Sequence, residues 1–371
     1  MGNAKSFVGG ARTVSGVTLV ELMIALVIGA VVVAAALQLY ARGREIYRVN
    51  ERIARLQEQG RVALSVIEPD IELAGYYGFT NFAAAVRFVR GSSPEVMLAS
   101  AMQMRQFPAR AGDALPTAVS GLPAGAHGCG VNFAVDVLMP VQGSNDAYAM
   151  GRPPTTGCNA YQNRPQPGAD TLVIRRAETQ ASSPEANRLQ LYASRLKSRT
   201  SHLLFADGSA PGVVDGDHRV QNLVVRAYYV SQDSVGQRGF PALRSKSLAR
   251  SGATASFADD EVMPGIEDLQ VQLAIAPADA DADAGAGAGA GAGAVDAAAR
   301  YVNPDFADLP RVRVLAVRVW LRVRSDQPEP AYVDSRTYRY ANVVYTPAGA
   351  DQHYRRVLMS RTVAVRNARA T

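Results

Sequence analysis

Glu21 is the residue whose setting first asks for chemistry. It is the only charged residue between Arg12 and Arg42, inside "SGVTLVELMIALVIGAVVVAAALQLY" at residues 15–40. A carboxylate at mid-membrane costs roughly 2.5–3.5 kcal/mol on insertion scales, so such an acid either lies near an interface or meets a partner. The two cysteines, Cys129 and Cys158, lie far beyond this run and belong to no CxxC pair. In an oxidising compartment they would bridge, closing a loop of about 30 residues with a chain-entropy gain of about 3 to 4 kcal/mol. The four histidines, His127, His202, His218 and His353, are scattered, and no HExxH, P-loop or GxSxG pattern appears. "VDGDH" at 214–218 has the composition of a metal site, but acids and glycine at that density read first as a turn.

Two further groups invite a ligand reading. Asp279, Asp281 and Asp283 resemble the start of a calcium loop, but glycine comes one place late at Gly285 and the twelfth position is Ala290, so an EF-hand is excluded. Arg318, Arg322 and Arg324, with Trp320 among them, read first as a strand face that arginine keeps soluble; the alternative is that they hold phosphates while the indole stacks on a base. No catalytic constellation, resident cofactor or metal is expected.

These residues need elements to position them. At 371 residues with 48% hydrophobic composition, the chain supplies a core of ordinary size. Its net charge of +6 is spread over scattered arginines and does not by itself call for nucleic acid. Residues 1–16 form a short basic leader carrying Lys5 and Arg12. The run from Val17 to Leu39 is 23 residues long, enough to span a hydrocarbon core of about 30 Å. The leading basic residues place the amino terminus in the cytoplasm and the bulk of the chain on the far side.

Beyond Tyr40 the chain turns amphipathic. Ile46, Val49, Ile53, Leu56, Gly60, Ala63 and Ile67 step by three and four, so one helix is expected over 17–68, with its lower stripe small enough to pack closely on a sheet. After Pro69 the texture changes to short runs of alternating character at 171–178, 222–231, 313–325 and 355–367. In the third, Leu315, Val317, Val319, Leu321 and Val323 face one way and the Arg/Trp set the other. One long helix followed by strands that do not alternate with helices makes the class α+β: a long amino-terminal helix, transmembrane in its first half, on a large antiparallel β-rich domain at 69–371. Within that domain the Ala/Gly/Asp stretch at 278–298 reads as a flexible insertion.

Gly16-Val17-Thr18-Leu19-Val20-Glu21-Leu22 resembles the prepilin signature of type IV pilins and type II secretion pseudopilins. The resemblance implies cleavage by a membrane prepilin peptidase between Gly16 and Val17, methylation of the new amino terminus at Val17, and pairing of Glu21 with the amino terminus of a neighbouring subunit. The family usually has Phe where this chain has Val17. "ARLQEQGRVALSVIEPDIELAGYYG", "GADTLVIRRAE", "VRAYYVS", "GFPALRSKSL", "GIEDLQVQL" and the terminal "RRVLMSRTVAVRN" are together similar to the PilW family of minor pilins. Relatives often carry a cysteine where this chain has Phe79, so their disulfide arrangement is not carried over.

The resemblance implies a non-enzymatic subunit of the bacterial inner membrane with a periplasmic domain. It would join other minor pilins and the major pilin, start pilus growth, and remain at the tip, where an adhesin is a candidate neighbour. A type II secretion pseudopilin, a tip adhesin or DNA-binding pilus component, and a membrane-anchored enzyme or sensor are the alternatives.

Overall fold

The computed structural model describes residues 16–81, 83–89, 96–97, 118–150, 158–196, 202–251, 254–276, 300–309 and 312–368. Most of the expected leader (1–15) and the Ala/Gly/Asp insertion at 278–298 lie outside the described residues. The chain divides into two compact units, Met1–Ala54 and Arg55–Thr371.

In the first unit the helix α1, Leu19–Glu72, begins after Thr18. Its side chains from Leu19 to Tyr40 are exposed all round. A helix apolar on every side is stable only in an apolar medium. It is the one helix among the described residues long and apolar enough to cross a membrane.

In the second unit the remainder of α1 changes character. Leu56, Gly60, Ala63, Leu64, Ile67, Asp70 and Ile71 are buried, which is the small lower stripe read from the sequence extended by a turn. Gly60 is small for a reason: a Cβ there would lie 2.4 Å from Met359 Sδ and 3.1 Å from Val323 Cγ2. The helix also runs four residues past its expected end at Glu68, carrying Pro69 inside it. Proline removes only its own N–H, and the Pro69 carbonyl still accepts the Leu73 N–H at 3.1 Å.

Fifteen strands follow among the described residues. They are β1 (Arg87–Phe88), β2 (Val96–Met97), β3 (Val141–Ser144), β4 (Thr171–Ala177), β5 (Ala186–Ser194), β6 (His202–Asp207), β7 (His218–Ser231), β8 (Ala242–Ser251) and β9 (Thr254–Pro264). The rest are β10 (Ile266–Ile275), β11 (Arg300–Val302), β12 (Val314–Arg324), β13 (Tyr338–Tyr340), β14 (Val343–Tyr345) and β15 (Arg356–Ala364). The first nine form one sheet in which the long β7 pairs with β5 through its first part and with β4 and β8 through its second. A second sheet has the order β11-β10-β12-β15, and β13 and β14 make a separate ribbon. Every pairing is antiparallel except the two-residue contact of β1 with β6.

Two main cores result. One joins Leu56, Ala63, Leu64, Ile67 and Ile71 of α1 to Val271, Leu273, Val319 and Leu321 of the four-stranded sheet and to Ile174 and Tyr228 of the larger one. The other surrounds Cys129 and Cys158 with Tyr77, Phe88, Val173, Leu191 and Leu204.

Candidate functional site

The helix start is built from residues of the stretch 16–22. Gly16 to Thr18 have no regular structure and are exposed, so the Gly16–Val17 bond lies in open chain ahead of the helix. The Thr18 hydroxyl accepts the Glu21 backbone N–H at 3.2 Å, and the Thr18 carbonyl accepts the Leu22 N–H at 3.1 Å. Thr18 is therefore the N-cap and Glu21 the third residue of the helix, in the Thr-x-x-Glu spacing of a capping box. That spacing stands in the sequence as a capping signal beside the membrane-span reading. An acid in the first turn also complements the positive end of the helix dipole. The Glu21 side chain is exposed and has no ion-pair partner among the described residues. The acid thus lies in the first turn of the helix, near the start of the apolar run.

Asp70, a second acid on the same helix, is 1% exposed. Its Oδ1 accepts Arg176 Nε and Nη2 at 2.9 and 2.8 Å, and its Oδ2 accepts Arg226 Nη1 at 2.8 Å and the Tyr228 hydroxyl at 2.6 Å. Burial, reinforced by Asp70, pushes the Tyr228 hydroxyl above its usual range, which keeps it a donor. Burial works against the Arg226 charge, but Asp70 and Tyr228 outweigh it and hold that guanidinium above its ordinary value. Arg361 and Arg366 reach Glu68 and Glu72 at 2.7 and 2.8 Å. No sequence signal marks Asp70, because its three partners come from strands more than a hundred residues away.

The expected Arg/Trp face of β12 does not form one open patch. Arg318 is half-buried, with its guanidinium 4.0 Å from the Tyr301 ring centre and 5.8 Å from that of Trp320, and it donates to Thr362 Oγ1 at 3.0 Å. Arg322 is buried: it donates to Glu267 Oε2 at 3.1 Å, contacts the Tyr340 hydroxyl and stacks 3.7 Å from the Tyr345 ring centre. Arg324 donates to the Gly239 carbonyl at 2.9 Å and lies 4.3 Å from the Tyr354 ring centre. The physical reason is the excursion between β12 and β15. Its β13–β14 ribbon lays Tyr340 and Tyr345 over Arg322, and Arg356 grips both oxygens of Glu267 at 2.8 and 3.1 Å beneath. What alternation alone makes a solvent face is here an internal ion-pair network.

Cys129 and Cys158 are bonded, with Cα atoms 4.8 Å apart, and both are buried. Beside them Arg175 is fully buried, donating to the carbonyls of Phe133 and Met139 at 2.9 and 2.8 Å. Burial lowers its pKa from the usual arginine value. In "VDGDH" the His218 ring pairs with Asp215 at 2.6 Å on an exposed turn. No group of three His, Cys, Asp or Glu side chains able to hold a metal occurs among the described residues. Asp279, Asp281 and Asp283 lie outside them.

Comparison with known proteins adds two matches. Residues 227–367 match the family described as Type IV Pilus-assembly protein W. Residues 11–37 match the family described as the Prokaryotic N-terminal methylation motif. No curated protein and no solved structure matches the chain.

Proposed function

We propose, from the premise that the chain is a prepilin-like pilin of the PilW type, that it is a minor pilin which helps to start pilus assembly within a complex of minor pilins. In this reading prepilin peptidase cuts after Gly16, Val17 becomes the methylated amino terminus, and the apolar run stores the subunit in the inner membrane with its β-rich domain in the periplasm. Glu21 then meets the free amine of an adjoining subunit. The mechanism is assembly and not catalysis, in keeping with a structural pilin family. The subunit would associate with other minor pilins and the major pilin, and would remain near the tip, beside an adhesin.

One observation carries this: the Glu21 carboxylate stands in the first turn of an apolar helix, four residues from Val17, with no cation to neutralise it among the described residues. A charge in that setting is costly in a lone subunit and becomes favourable when an amine arrives. The test compares the wild-type chain with Glu21→Ala in a deletion strain, using immunoblots of membranes and of sheared pili. The variant is expected to be cleaved and held in the membrane but lost from the sheared fraction, with few surface pili. Full piliation in the deletion strain itself would remove the assembly role.

A further inference from the structure

Arg176, Arg226, Arg244, Arg322 and Arg356 of the β-rich domain each face a carboxylate. Arg195 and Arg219 do not. Both are exposed, and among the described residues neither guanidinium has a hydrogen-bond or ion-pair partner. Instead both lie over one ring, that of Phe79, at 4.9 and 5.4 Å from its centre. We propose that Arg195 and Arg219, ordered on Phe79, form a binding site for a discrete phosphate-class oxyanion, either free or carried on a flexible chain such as a single-stranded nucleic acid.

The platform is built for rigidity. Phe79 is at the tip of a turn in which Tyr77 and Thr80 exchange backbone hydrogen bonds at 2.9 and 3.4 Å. Tyr77 is fully buried and its hydroxyl donates to the Val137 carbonyl at 2.7 Å. Gly78, at φ +72, presses the turn onto the strands: a Cβ there would lie 2.6 Å from Ala193 Cβ. The same pairing sets the two cations, since Ala193 is opposite Arg219 and the Arg195 N–H donates to the Asp217 carbonyl at 2.9 Å. Arg195, one residue past β5, and Arg219 of β7 thus share a face as diagonal neighbours. A ring beneath each guanidinium offsets part of their mutual repulsion and leaves the donor forks free. Two planar forks suit a phosphate, which accepts from several directions at once.

The acids nearby select among anions. Asp215 is held by His218 at 2.6 Å, and Asp217 stands exposed on the same loop. These repel a continuous plane of negative charge such as an anionic membrane, whereas a single oxyanion needs only the two guanidinium forks. Because the arginines already cover the Phe79 ring, base stacking contributes little and the phosphate is the group recognised.

The test uses the full-length chain in neutral-lipid nanodiscs at low ionic strength, with three probes: inorganic phosphate, a short fluorescent single-stranded oligonucleotide, and phosphatidylglycerol vesicles. Binding of phosphate alone would assign a free oxyanion, and binding of the oligonucleotide with competition by phosphate would assign a chain-borne one; either supports the site. The double change Arg195→Gln/Arg219→Gln should weaken that binding roughly tenfold and reduce the salt slope by about 1.4. Asp217→Asn should tighten it. An unchanged thermal unfolding midpoint would confirm that the exposed substitutions leave the fold intact. The site is overturned if phosphate and oligonucleotide both fail to bind, if only the vesicles bind, or if the double variant binds as the wild type does.

Discussion

Glu21 and Asp70 are two carboxylates on one helix with opposite solutions to the same electrostatic problem. Asp70 is removed from water and receives four side-chain donor contacts from Arg176, Arg226 and Tyr228. Glu21 stands among apolar side chains and receives none among the described residues. An acid neutralised by its own fold belongs to stability, whereas a carboxylate without a cation in an apolar setting is costly until one reaches it. Asp170 is a third, intermediate case. It is 1% exposed and, among the described residues, accepts only backbone N–H groups, those of Asp146 and Val271 at 2.8 and 2.7 Å. Burial pushes its pKa up to about 8, against the pull of those two donors.

The sharpest way to break the comparison is to delete each acid in turn. Asp70→Ala strands two guanidiniums, one of them partly exposed, and should lower the unfolding free energy by about 3 kcal/mol. Glu21→Ala should leave the unfolding of the β-rich domain unchanged. Equal losses in thermal or denaturant unfolding of the full chain would erase the distinction.

A smaller effect tests how the Asp70 face is seated. Gly60→Val drives methyl groups into Met359 and Val323, and should cost about 1–3 kcal/mol despite the better helix propensity of valine. A gain in stability would mean that the helix does not pack there as closely as the contact distances require.

A pH profile tests the intermediate case, Asp170. Its folded-state pKa is raised above the unfolded value of 3.8, so the folded state holds the extra proton between about 4 and about 8. The stability this group contributes is complete below about pH 4 and is lost as the pH rises through about 8. Asp170→Asn should flatten that part of the stability profile, and an unaltered slope would assign the pH dependence elsewhere.

The expected stripe illustrates how far local pattern reaches. Leu56, Gly60, Ala63 and Ile67 are buried as their spacing requires, because a helix fixes which side chains share a face within a few residues. The runs at 171–178, 222–231, 313–325 and 355–367 became β4, β7, β12 and β15 because alternation is equally local. The hairpin of β8 and β9 was not legible. "ALRSKSLARS" and "TASFADDEVMP" carry too few apolar residues, and Arg244 is instead satisfied across the strands by Asp259 at 2.7 Å.

The sequence by itself determined what needs only nearest neighbours along the chain: the apolar run, the acid near its start, the helix that continues from it and the α+β order of elements. Tertiary structure alone decided which charges are neutralised. Arg322 looks outward by alternation until residues about twenty places further on cover it with Tyr340 and Tyr345, and Asp70 is one acid among several until β4 and β7 bring Arg176, Arg226 and Tyr228 to it. Helix and strand periodicity depend on bond geometry a few residues long, but a buried ion pair depends on partners that only the folded chain brings within 3 Å.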